Sequence, residues 1–168
     1  MPVRSTQNRR TLLKTAALVT LAGLAGCSTT SVLAPPGDGS DQTEATLGLI
    51  NGLRKERGLN PLSRDPAAAS AALSQAGRMA KAGKMAHLIG ITDSFGGRMR
   101  SQSVTLPAAE NIAVGQADAQ KAYLAWLNSP KHLENMLGPG YSGLGVAVMR
   151  NPASGNRPYW AMVLSSGT

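Results

Sequence analysis

His87 and His132 are the only histidines in the chain, and Glu110 lies between them, 23 residues after one and 22 before the other. Imidazole and carboxylate groups do acid–base work near neutral pH. Glu110 also interrupts the otherwise mostly apolar run Ala109-Glu110-Asn111-Ile112-Ala113-Val114, where a carboxylate costs free energy unless it is paired or hydrogen-bonded. The spacing itself has none of the i,i+4 geometry that makes a metal motif self-evident. By spacing alone the three residues are independent, and a lone histidine is usually structural or solvated. No serine sits in a G-x-S-x-G elbow. The remaining reactive side chain, Cys27, is the only cysteine and closes the run Leu24-Ala25-Gly26-Cys27.

That run decides where the chain goes. A basic start (Arg4, Arg9, Arg10, Lys14) precedes a short apolar stretch, Ala16 to Leu24, and small residues follow. This is the layout of a secretory signal, and the apolar stretch is well short of the ~20 residues of a membrane span. A cysteine directly after the small residues marks a bacterial lipoprotein signal, with residues 1–26 removed and Cys27 acylated. The partner expected from this is a membrane, reached through the lipid on Cys27. Asn8-Arg9-Arg10-Thr11-Leu12-Leu13-Lys14 resembles the twin-arginine export signal, and equally serves as an ordinary positive n-region. Ser28 resembles the sorting choice for the outer membrane of a Gram-negative cell, facing the periplasm.

Residues 1–26 hold four basic residues and no acid, so the formal +8 of the whole chain falls to 13 Lys+Arg against 9 Asp+Glu, or +4, in the mature part. That balance does not support nucleic-acid binding, which calls for a dense basic stripe. With its one thiol acylated, the mature chain has no disulfide to staple its core. Residues 27–42, rich in Ser, Thr, Pro and Gly, read as a tether reaching on the order of 20 Å. Residues 43–168 read as one domain.

Within that domain a helix starts near Thr43, with Leu47, Ile50 and Leu53 on one face, cations at its end and Gly58 as its stop. Asp65-Pro66 caps a second helix whose inner face is built of small side chains (Ala68, Ala69, Ala72, Ala76, Ala80) and which ends at Gly83. His87 follows in a loop, and residues 90–107 read as irregular. Residues 109–114 form a short strand. Asp118 caps a helix over 119–128, and Ser129-Pro130 repeats the cap-plus-proline start, with Ser129 as cap and His132 in the first turn of a new short helix. Leu144, Val146 and Val148 alternate with Gly145, Ala147 and Met149, and Pro158 to Leu164 supplies the partner strand of a C-terminal hairpin. The fold class is α+β.

Several of these segments resemble words of one family. Leu49-Ile50-Asn51-Gly52-Leu53-Arg54 with Gly58-Leu59-Asn60-Pro61-Leu62 looks like the opening of bacterial SCP/CAP domains, relatives of cysteine-rich secretory proteins, antigen 5 and plant pathogenesis-related proteins. Met79 to His87, Glu110-Asn111-Ile112-Ala113 with Gly115, Trp126-Leu127-Asn128-Ser129-Pro130-Lys131-His132 with Asn135 and Met136, Gly143-Leu144-Gly145-Val146 and Tyr159-Trp160 match later segments in order. The resemblance covers residues 44–164. It implies a CAP-type α-β-α sandwich with a small antiparallel sheet, and a cleft where His87, Glu110 and His132 hold a divalent cation, most often zinc. Two imidazoles and one carboxylate would make an open zinc site, with water in the fourth position available for hydrolysis. The fuller family pattern has a second glutamate on the tryptophan helix. Here Leu127, Asn128 and Ser129 stand there, with Glu134 the one substitute nearby. Three functions follow from the resemblance: a module binding lipid, sterol or glycan; a metal-assisted hydrolase of envelope peptides or peptidoglycan; and a structural envelope protein. The missing glutamate and nucleophile favour the first. The oligomeric state is not set by the sequence.

Overall fold

The computed structural model describes residues 38–167, and the expected signal, the expected lipobox at Cys27 and most of the expected tether lie outside them. The described elements run β1 (Asp38–Asp41), α1 (Thr43–Glu56), β2 (Ser63–Arg64), α2 (Pro66–Ala82), α3 (Phe95–Ser101), β3 (Ala108–Val114), α4 (Ala119–Leu127), α5 (Pro130–Met136), β4 (Gly143–Arg150), a 3₁₀ turn (Pro152–Ser154) and β5 (Pro158–Ser165). The hairpin strands β4 and β5 sit in the middle of one sheet of order β1-β4-β5-β3, antiparallel except for the short β2, which pairs parallel to β4.

Strand periodicity sorts the core into two layers. Leu144, Val146 and Val148 of β4 and Trp160, Met162 and Leu164 of β5 pack with α1, α4 and α5. Ala147 and Met149 of β4 and Tyr159, Ala161 and Val163 of β5 pack on the opposite face with α2 and Met99 of α3. Helices thus cover both faces of the sheet, giving the expected α-β-α sandwich.

The small face of α2 lets the helix lie close on the sheet. A Cβ on Gly145 of β4 would lie 2.1 Å from the backbone of Ala68 and Ala69, so helix and strand touch backbone to backbone. Asp65 caps α2, accepting from the amides of Ala67 (2.8 Å) and Ala68 (3.3 Å), and Gly83 closes it in the left-handed region.

Three local readings differ from the sequence expectation. Asp38–Asp41, expected in the tether, pairs with Ala147–Arg150 as edge strand β1; its backbone finds partners that its polar composition does not announce. The stretch expected to be irregular contains α3, capped by Ser94, whose hydroxyl accepts from the Gly97 amide. The Gly96-Gly97 pair hid a helix held by tertiary contacts rather than by propensity. Ser129 occupies the N-cap position of α5 without a side-chain cap bond, and Pro130 marks the helix start.

Candidate functional site

β3 is an edge strand, and its alternation sends neighbouring side chains to opposite layers. Glu110 turns to the α2/α3 layer and Asn111 to the α5 layer. The cleft lies over this edge, with a volume of about 380 Å³, and His87, Glu110 and His132 all line it together with Phe95, Lys131 and Tyr141.

Glu110 is buried, its side chain 2% exposed. Its partner is a residue the sequence reading missed. Arg98 of α3 donates from Nη1 to Oε2 (2.8 Å) and from Nη2 to Oε1 (3.1 Å), a two-point fork on the carboxylate. Nδ1 of His87 meets the same Oε1 at 2.9 Å. Against an ionised carboxylate that nitrogen is the donor, and in the neutral form of the ring Nε2 is then the acceptor. Half of the His87 side chain is exposed.

The guanidinium of Arg98 is itself held. It lies 5.6 Å from the centroid of the Phe95 ring, it donates to the carbonyl of His87 (3.0 Å), and its Nε is 3.3 Å from Asp93. Asp93 bonds Arg78 in turn and accepts from the amide of Ile89 at 2.7 Å. Burial would raise the Asp93 carboxyl, but the Arg78 bond, the Ile89 amide and the charges of Arg78 and Arg98 outweigh it and hold the group below its ordinary value. Gln75, buried on α2, donates to the carbonyls of Ala86 (2.8 Å) and His87 (3.2 Å) and accepts from Arg78 (3.0 Å). The loop carrying His87 is therefore fixed by its backbone, from α2 and α3 together. One signal for Arg98 was present in the sequence: a carboxylate expected in an apolar strand demands a cation, and Arg98 and Arg100 are the nearest upstream.

His132 is placed from the other layer. Asn111 donates to the His132 carbonyl (3.0 Å) and accepts from Asn135 (2.8 Å), so it ties β3 to helix α5. The far end of α5 is anchored by Arg54. This guanidinium was expected to serve the C-terminal dipole of α1; instead it is fully buried and donates to the carbonyls of Asn60 (2.8 Å), Met136 (2.9 Å), Gly138 (3.0 Å) and Tyr141 (3.3 Å). Burial first, and the charge of His87 second, hold the His132 imidazole below its ordinary value, so it is neutral at pH 7. Glu134 is exposed and pairs with Lys131 (2.9 Å); it does not line the cleft and supplies no second carboxylate.

The divalent cation that the family resemblance implies meets this donor set only in part. Among the described residues no group of three or more His, Cys, Asp or Glu side chains is arranged to hold a metal ion. Arg98 covers both oxygens of Glu110, so the carboxylate stands behind His87 as its orienting partner. The groups that fit a cation are the two imidazoles, with Glu110 in the supporting position common behind metal-binding histidines.

A family model described as CAP, the cysteine-rich secretory protein family, matches residues 47–164. The uncharacterized protein YkwD of Bacillus subtilis (strain 168) is 27% identical over 124 residues, which is 73% of this chain and 48% of that protein. The chain thus spans about half the length of this curated relative. An outer surface protein from Borrelia burgdorferi has the same fold, with a TM-score of 0.66 at 23% identity over 79% of this chain and 99% of that one. An extracellular protein containing an SCP domain from Bacillus anthracis strain Ames matches with a TM-score of 0.66 at 26% identity, over 74% of this chain and 40% of that one.

Proposed function

The chain belongs to the CAP, or cysteine-rich secretory protein, family, and from that premise we propose that it is an exported, envelope-attached binding module whose ligand seats in the cleft over β3. The observation that carries this reading is the state of Glu110. Its two oxygens are taken by the Arg98 fork, and one of them also by His87. A general base needs a lone pair within reach of the proton it removes; this carboxylate is 2% exposed and gives three of its about four lone-pair sites to fixed cationic and imidazole donors. It is a structural counter-charge. The groups left to meet a ligand are the imidazoles, Lys131 and the apolar walls of Phe95, Ala108, Ala109 and Tyr141. They suit an amphipathic ligand of the lipid, sterol or glycan classes, which needs hydrogen bonds for its polar part and apolar contact for the rest. Residues 1–27 support export and lipid attachment, and the extracellular description of the Bacillus anthracis relative supports export.

A second reading is favoured by one bond. Because Nδ1 of His87 is committed to Glu110, Nε2 is free to ligate, and His132 is neutral, so the pair would hold a divalent cation such as zinc. Bound there, zinc would acidify a water molecule; the protein would contribute ring orientation through Glu110 and Arg98.

Two experiments on residues 28–168 separate the readings. Calorimetric titration with zinc, against a His87→Ala/His132→Ala variant, tests the cation site. Incubation with peptidoglycan and casein, with and without zinc, tests turnover. The binding reading expects no turnover under either condition. Turnover that disappears in His87→Ala would overturn it and select the metal-assisted hydrolase.

A further inference from the structure

The loop that carries His87 exposes large apolar side chains more densely than any other stretch of the described residues. Met85, Leu88 and Ile91 are 47%, 53% and 105% exposed, three of the five large hydrophobic side chains so exposed among the described residues, and they fall within seven positions. This is not the result of a loosely held loop. The carbonyls of Ala86, His87 and Ile89 and the amide of Ile89 are bonded inward to Gln75, Arg98, Arg78 and Asp93. Gly90, at φ +105°, makes the turn, a conformation that favours glycine. It leaves Ile89 packed against the core and Ile91 wholly outside.

The charge around this face is one-sided. Exposed Lys81 and Lys84 precede it and form no ion pair among the described residues. Between Asp65 and Asp118 the chain has only two acids, Asp93 and Glu110. Their side chains are 5% and 2% exposed and are held by Arg78 and Arg98. The cations at the loop therefore have no exposed acid nearby in the chain.

We propose that this loop docks on an anionic lipid surface, with Met85, Leu88 and Ile91 entering the headgroup boundary and Lys81 and Lys84 meeting lipid phosphates. Apolar side chains flanked by lysines are the composition of interfacial membrane contacts. Three separated aliphatic side chains offer too little area for a stable protein interface, whereas a bilayer accepts them without a complementary shape. His87 sits between Met85 and Leu88, so docking brings the cleft mouth to the lipid. The ligand class then narrows to a membrane lipid whose headgroup enters the cleft from the bilayer. This last step rests on the binding function proposed above; the docking itself does not.

The test uses the full chain with Cys27→Ser, which removes its one thiol and leaves a single label site in Ile91→Cys. Ser40→Cys, on the opposite edge of the sheet, is the control. Each is labelled with nitrobenzoxadiazole and mixed with phosphatidylcholine vesicles, with and without phosphatidylglycerol. On the anionic vesicles the label at position 91 should shift to the blue and be quenched by lipid-borne nitroxide, while the label at position 40 stays aqueous. Lys81→Gln/Lys84→Gln should weaken insertion of position 91 about 30-fold, taking about fivefold per basic residue near an anionic surface. A label at position 91 that stays aqueous while the chain sediments with the vesicles would overturn the proposal. So would equal insertion with and without phosphatidylglycerol, or equal shifts at positions 91 and 40. Insertion of position 91 with no ligand found in the cleft would keep the docking and remove the cleft reading.

Discussion

Arg98→Met is the perturbation that tests the site's architecture most severely. The variant keeps the length and apolar stem of the side chain and removes the guanidinium. Glu110, 2% exposed, is then left with His87 as its one partner, and Asp93 with Arg78 and the Ile89 amide. Removing one member of a buried pair costs about 3–5 kcal/mol, most of it the penalty of the stranded charge. In a domain of this size that corresponds to a drop in Tm of roughly 10–20 °C. The double variant Arg98→Met/Glu110→Gln strands no carboxylate at position 110, and the glutamine can still bond His87. It should recover stability to within about 2 kcal/mol of wild type, since replacing both partners of a buried pair costs far less than removing one. The assay is urea unfolding of wild type, both single variants and the double variant, compared at matched m-values. An Arg98→Met cost under about 1 kcal/mol, or a double variant no more stable than Arg98→Met, would refute the claim that Arg98 neutralises Glu110.

Further consequences can be checked in the same way. Gly145→Ala places a Cβ against the helix backbone of Ala68 and Ala69 and should cost at least about 3 kcal/mol in urea unfolding, because a helix backbone cannot move aside as a side-chain end can. Arg54→Met leaves four carbonyls without their donor and should cost roughly 3–4 kcal/mol, with faster hydrogen exchange over residues 130–141 as its local signature. The imidazole of His132 is held below its ordinary 6.5 by burial and by His87, so the unfolded chain binds its proton first as pH falls. The stability it contributes is fully present above pH ~6.5 and lost below it, and the pH dependence of unfolding should flatten over that window in His132→Asn.

How much of this was legible in the sequence differs by residue. Asp65-Pro66, Gly83, Asp118 and the alternation from Leu144 to Met149 each carry a local physical signal, and each element formed where that signal stood. The ordered words from Leu49 to Trp160 sufficed to identify the family. The need of Glu110 for a cation was legible, but which cation meets it was not. Arg98 lies on a helix opened by two glycines, and only the fold brings it beneath β3. Arg54 was misread because the end of α1 is a favourable place for a cation whether or not the side chain is buried. Buried at 0% exposure, it instead ties α1 to α5 across more than 80 positions of sequence, a distance no local pattern encodes. Asp38–Asp41 looked like tether because an edge strand partnered on one side needs no apolar alternation.

The central claim is that the cleft over β3 receives a ligand. The chain has just two imidazoles, so their long-range proton–nitrogen NMR spectrum contains the rings of His87 and His132 alone. Titrating residues 28–168 with lysophosphatidylglycerol, cholesterol sulfate and an N-acetylglucosamine oligomer should move both ring signals together for one of these probes, saturably, and the response should vanish in Lys131→Ala/Tyr141→Ala. Ring signals unmoved by all three probes, or movement of exposed His87 alone, would contradict the account.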